Sequence, residues 1–259
     1  MTKFSLKNIV TSVFVFTVII IFIAVAFVIT KSVFTSQIGN LFGGYSFEDV
    51  QVTTTTYACP LDTNLSTGYV YVRGYGDHNP NTFSSGKELI SNAPFFDFDY
   101  DPSRTLSELS AEFIYQFNTF AQSADVEKLI IFAHSAGGVI ASFSANKLIF
   151  EGVLEVHTLA SPLNGYHLSE SLIDYSGFAK EIALGFWAFT KPDENVRVYH
   201  HKTVEDASLR SWCAVFSRFC DPLKIQNNNV PGSAEYYYPE QNHISIVSHV
   251  SNVVINCYA

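Results

Sequence analysis

The sequence predicts an α/β protein in which helices cover both faces of a mainly parallel sheet, preceded by one N-terminal transmembrane helix. Short segments rich in β-branched and aromatic residues alternate with longer segments of helical periodicity, as in parallel α/β folds. One short segment, Leu129–Ala133, is continuously apolar and leads directly through Ser135 into a helical segment. A length of 259 residues is sufficient for one such domain with a substantial core.

A continuous apolar stretch, Ile9–Thr30, contains no charged residue. As a helix it is long enough to cross a bilayer core of about 30 Å. It is longer than the apolar region of a cleaved signal peptide, and no convincing cleavage site follows it. Lys3 and Lys7 precede the stretch and Lys31 follows it, which favours a cytoplasmic N-terminus. We therefore predict a single-pass signal anchor with the domain outside the cytoplasm; secretion after cleavage is the alternative.

The charge of the chain is acidic and uneven. The formal net charge is −9 and the pI about 5.3, which argues against nucleic-acid binding because that requires a basic surface. Three of the 15 basic residues lie within residues 1–31, and all 24 acidic residues follow them. The acidic remainder would not bind anionic lipid through its own charge, so membrane attachment depends on the anchor. We divide the chain into a cytoplasmic tip with the anchor (1–31), a linker (32–47) and one domain (48–259).

The four cysteines of the chain all lie in the predicted exported domain, where disulfides persist. Three connectivities are open. We favour Cys213 with Cys220, which closes a short loop, and Cys59 with Cys257, which joins the two ends of the domain. No C-x-x-C spacing suggests zinc, and no metal or cofactor is expected.

The secondary structure follows from periodicity and turn residues. The predicted strands are Val50–Tyr57, Tyr69–Val72, Ala93–Tyr100, Leu129–Ala133, Leu154–Ala160 and Asn195–His200. The predicted helices are Thr105–Ala121, Val139–Ile149, Tyr166–Thr190 and His243–Asn256. We expect an aromatic turn at Tyr236–Pro239 and an irregular segment at Cys213–Asn229.

The central feature is the segment Ala133-His134-Ser135-Ala136-Gly137. A sharp turn from a buried strand into a helix brings the two backbones close together. Small residues such as Ala133, Gly137 and Gly138 leave room for that approach. The turn would expose the Ser135 hydroxyl above the sheet, beside the positive end of the following helix.

This segment resembles the nucleophile elbow of the alpha/beta-hydrolase superfamily, in the lipase- and esterase-like variant with alanine at the first position of G-x-S-x-G. The resemblance implies an alpha/beta-hydrolase fold and a nucleophilic role for Ser135. It also implies that an acid and then a histidine follow the serine along the chain. A further similarity lies in Thr158–Gly165, which is similar to the segment that borders the active site in lipases.

The resemblance guides the choice of the base. We assign it to His243, which opens the last predicted helix, and His249 is a weaker candidate. His134 is expected to flank the pocket, and His200 and His201 to be structural.

The acid should follow the predicted strand Asn195–His200. We favour Asp206 because aspartate is the commoner third member in this fold. Glu205 and Asp221 are the alternatives.

Two backbone N–H groups are implied as an oxyanion hole. One belongs to Ala136, directly after the serine. The other lies in the loop after Tyr69–Val72, where many relatives have His-Gly and this chain has Arg73-Gly74. We assign this second donor to Tyr75.

These expectations together describe a membrane-anchored serine hydrolase that cleaves carboxylic esters, of lipids or other acyl groups, through Ser135, His243 and Asp206. An acyltransferase or amidase with the same residues is one alternative, and a catalytically silent binding module is another. Four aromatic residues are interpreted either as an apolar lid over acyl chains or as ordinary core: Phe178, Phe186, Trp187 and Phe189.

Overall fold

The computed structural model describes residues 57–60, 64–77, 81–167, 177–185, 187–204, 206–211, 221–227 and 230–258. These residues all belong to the compact unit Val52–Ala259. The predicted anchor Ile9–Thr30, the linker and most of the predicted strand Val50–Tyr57 lie outside them. In the part of the chain that is described, no helix is long and apolar enough to span a membrane.

The described strands form one parallel sheet. They are β1 (Thr67–Val72), β2 (Phe95–Phe98), β3 (Lys128–His134), β4 (Val153–Leu159), β5 (Val196–Thr203) and β6 (Ala234–Tyr238). Their order across the sheet is β2-β1-β3-β4-β5-β6, and each neighbouring pair is parallel. The predicted mainly parallel α/β architecture is therefore confirmed.

Helices connect these strands. They are α1 (Ser84–Leu89), α2 (Leu106–Ser123), α3 (Ala136–Ser144), α4 (Gly177–Leu184), α5 (Ala207–Ser211), α6 (Pro222–Ile225) and α7 (Ser245–Ile255), with a 3₁₀ turn at Ala145–Lys147. The helix after the elbow begins at Ala136, three residues earlier than predicted, and its last turn becomes the 3₁₀ segment. The sequence pattern predicted that His243 opens the last helix, but α7 begins at Ser245 and His243 lies in the turn before it.

Three predictions of secondary structure were wrong. The segment Cys213–Asn229, predicted as irregular, contains α6 among its described residues. The aromatic turn at Tyr236–Pro239 is mostly the edge strand β6, because its tyrosines pair in parallel with β5 and only Pro239 ends it. The long helix Tyr166–Thr190 is reduced to α4 among the described residues. Gly177 and Gly185 bracket α4 with φ of +55° and +70°, a conformation outside the α-helix.

The two faces of the sheet carry separate apolar clusters. One packs β1, β3 and β4 against α2, α3 and α4, and the other packs the opposite face against α7. Phe178 and Phe189 are buried in the first cluster, with Trp187 packed against it, so these three residues are core rather than a lid. Phe186 lies outside the described residues.

A disulfide joins Cys59 to Cys257, with Cα atoms 5.4 Å apart. It ties the first described residues to the end of α7 across 198 positions of sequence. The structure therefore confirms the preferred pairing of these two cysteines. The other predicted pair, Cys213 with Cys220, lies outside the described residues.

A chain of buried polar side chains crosses the α7 face of the sheet. Glu155 Oε2 lies 3.4 Å from His157 Nε2, His157 Nδ1 lies 3.0 Å from His201 Nε2, and His201 Nδ1 lies 3.0 Å from Tyr238 Oη. A carboxylate only accepts, so His157 donates to Glu155; with both imidazoles neutral, His201 then donates to His157 and Tyr238 donates to His201. Burial, rather than this hydrogen-bond pattern, keeps both imidazoles neutral.

The buried histidines predict that the fold loses stability in mild acid. Burial lowers the pKa of His157 and of His201 below the ordinary value, and burial also lowers the pKa of His134. Below a pH of about 6.5 these histidines bind protons in the unfolded chain but stay neutral in the folded chain. Their contribution to the free energy of unfolding is therefore complete above that pH and is lost as the pH falls. Urea unfolding should give a free energy lower by about 2–4 kcal/mol at pH 5.5 than at pH 7.5. Equal values at the two pH would contradict the arrangement.

Candidate active site

Ser135 lies at the turn where β3 passes into α3. Its φ and ψ are +52° and −126°, a conformation that a residue with a side chain rarely adopts and that costs about 1–3 kcal/mol. The Ser135 N–H donates to Leu159 O at 2.8 Å, which fixes the turn to the end of β4. Ser135 is therefore held in a strained conformation at a sharp strand-to-helix turn.

The two glycines after the serine allow the close approach of α3 to the sheet. A Cβ on Gly137 would overlap the carbonyl oxygens of Val72 and Arg73, which are backbone atoms at the end of β1. A Cβ on Gly138 would overlap the Ser161 hydroxyl. Larger residues at these two positions would therefore clash with neighbouring atoms, and glycine is required for the close packing.

Asp206 and His243 form a hydrogen-bonded pair. His243 Nδ1 donates to Asp206 Oδ2 at 2.8 Å. The Asp206 side chain is fully buried, and it also accepts from Thr203 Oγ1 at 2.8 Å and from the Leu209 N–H at 2.9 Å. Burial raises the pKa of Asp206, but the hydrogen bonds from His243, Leu209 and Thr203 outweigh it and leave the pKa below the usual value. Asp206 is therefore a carboxylate at neutral pH.

The turn that carries His243 is held by its own polar groups. Asn242 Oδ1 accepts from the N–H groups of Ile244 and Ser245, each at 2.9 Å. In return the Asn242 N–H donates to Ser245 Oγ at 2.9 Å. This reciprocal pattern, like a capping box, fixes the backbone on which the imidazole is mounted.

Ser135 and His243 line one cavity of about 260 Å³, counted with its open mouth. Tyr75 and Ala136 line it too, and its remaining described walls are Pro162, Tyr166, Ile182, Ser208 and Leu209. Among the described residues no hydrogen bond joins the Ser135 hydroxyl to His243. The cavity therefore brings the predicted serine, histidine and both predicted N–H donors to one place, with Asp206 behind the histidine.

The loop after β1 packs directly against the turn at His134 and Ser135. A Cβ on Gly74 would lie 3.1 Å from Ser135 Cβ, so glycine allows the loop to approach the serine. The Arg73 side chain turns away from the cavity and forms a bidentate pair with Asp97, at 3.0 and 2.7 Å. Tyr75, the next residue of this loop, lines the cavity together with Ser135.

The other candidate residues occupy different places. Asp221 caps α6 by accepting from the Leu223 N–H at 2.9 Å, and Glu205 lies outside the described residues. His249 is on α7 with its ring against Tyr238, and His200 is bonded to Thr158 within the sheet. Sequence reasoning missed Thr203 and Asn242; the only local signal for either is a short polar residue close to a predicted site residue.

Comparisons with known proteins support the same architecture. The sequence matches no known family model and no curated protein sequence. A solved structure from Agrobacterium vitis S4, named as a candidate hydrolase, superimposes with a TM-score of 0.51 at 13% identity, covering 75% of this chain and 88% of that one. The fold is that of an alpha/beta hydrolase. A lipase-esterase related protein from Clostridium acetobutylicum has a TM-score of 0.46 at 12% identity, covering 74% of this chain and 94% of its own.

Within this alpha/beta-hydrolase fold, the candidate site occupies the carboxyl ends of the parallel strands. Ser135 follows β3, Asp206 follows β5, and the Tyr75 loop follows β1. Ligands of open α/β sheets bind at this edge. No group of three or more His, Cys, Asp and Glu side chains among the described residues is arranged to hold a metal ion.

Proposed function

We propose that this alpha/beta-hydrolase-fold chain is a serine hydrolase of carboxylic esters, with Ser135 as nucleophile, His243 as base and Asp206 as the orienting acid. One observation supports the proposal most strongly. His243 donates a 2.8 Å hydrogen bond to the buried Asp206, and His243 lines the same cavity as Ser135. A nucleophile, a base and a group that orients the base form the minimal set for this chemistry.

In the acylation step, Ser135 Oγ attacks the ester carbonyl and its proton passes to His243 Nε2. The Nδ1–H bond to Asp206 keeps Nε2 unprotonated beforehand and stabilises the imidazolium afterwards. The oxyanion is bound by the N–H groups of Ala136 and Tyr75. Ala136 is the first residue of α3, so the helix dipole adds to its N–H.

The tetrahedral intermediate then collapses. The bond to the alcohol breaks, and the alcohol leaves with the proton that His243 Nε2 holds. Water repeats the sequence on the acyl-serine: His243 takes its proton, the acid is released, and Ser135 Oγ recovers the proton. The cycle needs no group that the chain does not contain.

The described walls of the cavity suit a small acyl group. They are mainly apolar, with Pro162, Ile182 and Leu209 beside the serine, and the enclosed part of the cavity is only about 30 Å³. We therefore expect short acyl chains to be cleaved faster than long ones, in place of a lipid-specific preference.

The anchor Ile9–Thr30 places this activity on the outer side of a membrane in our proposal. The Cys59–Cys257 disulfide supports that placement, because such bonds persist mainly outside the cytoplasm. The acidic charge of the remainder of the chain also suits a domain held by a helix rather than by lipid head groups.

Turnover of p-nitrophenyl acetate, butyrate and octanoate by the full chain in detergent micelles tests the proposal. The wild type should cleave the acetate and butyrate fastest, and Ser135→Ala should lose the activity. Ser142→Ala removes a buried hydroxyl from α3 outside the cavity and should retain it. A folded wild type that cleaves none of the three esters would overturn the proposal.

A further inference from the structure

His134 contacts the turn that carries the proposed base. The residue ends β3, directly before Ser135, and its side chain is buried. Its Nε2 lies 2.9 Å from the backbone oxygen of His243, and the two imidazole rings have centroids 4.8 Å apart. The carbonyl oxygen can only accept, so His134 Nε2 carries the hydrogen and donates it. The backbone of the base is thus bonded to the residue before the nucleophile.

The other edge of the His134 ring faces the loop after β1. Nδ1 lies 3.8 Å from Asp77 Oδ2, and a Cβ on Gly74 would lie 3.1 Å from this same nitrogen. Asp77 is fixed in turn, since its Oδ1 accepts from Thr82 Oγ1 at 2.8 Å and its N–H donates to Gly74 O at 3.2 Å. Tyr75, the proposed oxyanion donor, lies between Gly74 and Asp77 in this turn.

We propose that His134 is a positioning residue that holds the base turn and the oxyanion loop in register with Ser135. The inference rests on the proposed function of Ser135 and His243. His134 touches neither the ester nor the transferred proton in this account. It acts through a hydrogen bond to the backbone of His243 on one side and by packing against Gly74 in the loop of Tyr75 on the other.

The chemistry of the ring suits this role at neutral pH. Burial lowers the pKa of His134, and the nearby charge of Asp77 opposes this shift without reversing it. The neutral ring carries one N–H, on Nε2, and this group donates to the His243 carbonyl oxygen. Because small displacements at a reacting centre cost rate steeply, loss of this bond should slow the chemical step more than it weakens binding.

The test compares three substitutions in the full chain. His134→Gln keeps an N–H donor at about the reach of Nε2, His134→Asn keeps the amide but is one methylene too short, and His134→Leu keeps the bulk without a donor. The rate of labelling by a fluorophosphonate is measured against probe concentration and normalised to the final extent of labelling. His157→Leu is the matched control, since this buried histidine belongs to the separate chain with Glu155 and His201.

We expect the maximal labelling rate to fall about 10- to 100-fold in His134→Leu and His134→Asn, with the half-saturating probe concentration changed less than about twofold. His134→Gln should stay within about threefold of the wild type, and His157→Leu should label at the wild-type rate per active site. Wild-type rates in both His134→Leu and His134→Asn would overturn the inference. So would an equal fall in His157→Leu, which would show a general effect of destabilisation.

A second measurement does not depend on reactivity. The proton between His243 Nδ1 and Asp206 should give a downfield ¹H NMR resonance in the wild type and in His134→Gln, and this resonance should broaden or vanish in His134→Leu. If it persists unchanged in His134→Leu, the inference fails. An unlabelled wild type that still shows the resonance would instead overturn the proposed function alone.

Discussion

Asp206→Asn is expected to lower kcat/KM for short-chain esters about 10⁴-fold. The Thr203 hydroxyl and the Leu209 N–H would still hold the side chain in place. An asparagine amide, however, can present its NH₂ group to His243 Nδ1. The hydrogen of the imidazole then moves to Nε2, and the base can no longer take the proton of Ser135. Steady-state kinetics of the full chain measure the effect.

Asp221→Asn is the matched control for this prediction. Asp221 is one of the two alternative acids, and the structure places it at the N-cap of α6, where an asparagine can still accept from the Leu223 N–H. Its kcat/KM should stay within about twofold of the wild type. Retention of more than about a tenth of the activity in Asp206→Asn would contradict the assigned acid.

Gly137→Ala is expected to lower the free energy of unfolding by more than about 3 kcal/mol, a large part of the stability of a typical domain. The new Cβ would overlap the carbonyl oxygens of Val72 and Arg73. Val72 is the last residue of β1, which pairs with β2 on one side and β3 on the other, so its backbone cannot move without disturbing both pairings. Urea unfolding followed by circular dichroism measures the loss.

Gly232→Ala separates this steric effect from the general cost of replacing glycine. Gly232 has a φ of +83°, and a Cβ there would meet no atom within 4 Å. Its substitution should cost only about 1–2 kcal/mol, from the left-handed backbone alone. If Gly137→Ala were no less stable than Gly232→Ala, the close approach of α3 to β1 would be wrong.

The parts of the fold that local sequence determines were predictable. The apolar run of β3, the serine and the small residues after it specify a strand, a turn and a helix within a few positions of each other. The spacing of Leu109, Phe113 and Phe117 likewise predicted α2, and all three side chains are buried. The Cys59–Cys257 pairing followed from the position of each cysteine at one end of the domain.

The parts that depend on tertiary contacts were not predictable. Tyr236–Tyr238 alone reads as a turn before a proline, and only its pairing with β5 makes it a strand. The sequence offered three acidic residues for one role, and their distances to His243 arise only when β5 and the turn before α7 meet. The contact of His134 with the His243 carbonyl joins residues 109 positions apart, so no local pattern could have indicated it.

The central claim is that Ser135 is an activated nucleophile. Its most direct test is fluorophosphonate labelling of the full chain in micelles, with the adduct located by peptide mass spectrometry, in the wild type, Ser135→Ala and His243→Ala. The account predicts one adduct, on Ser135, in the wild type and none in either variant while circular dichroism shows all three folded. A folded, disulfide-bonded wild type that stays unlabelled, or an adduct on another residue, would contradict it.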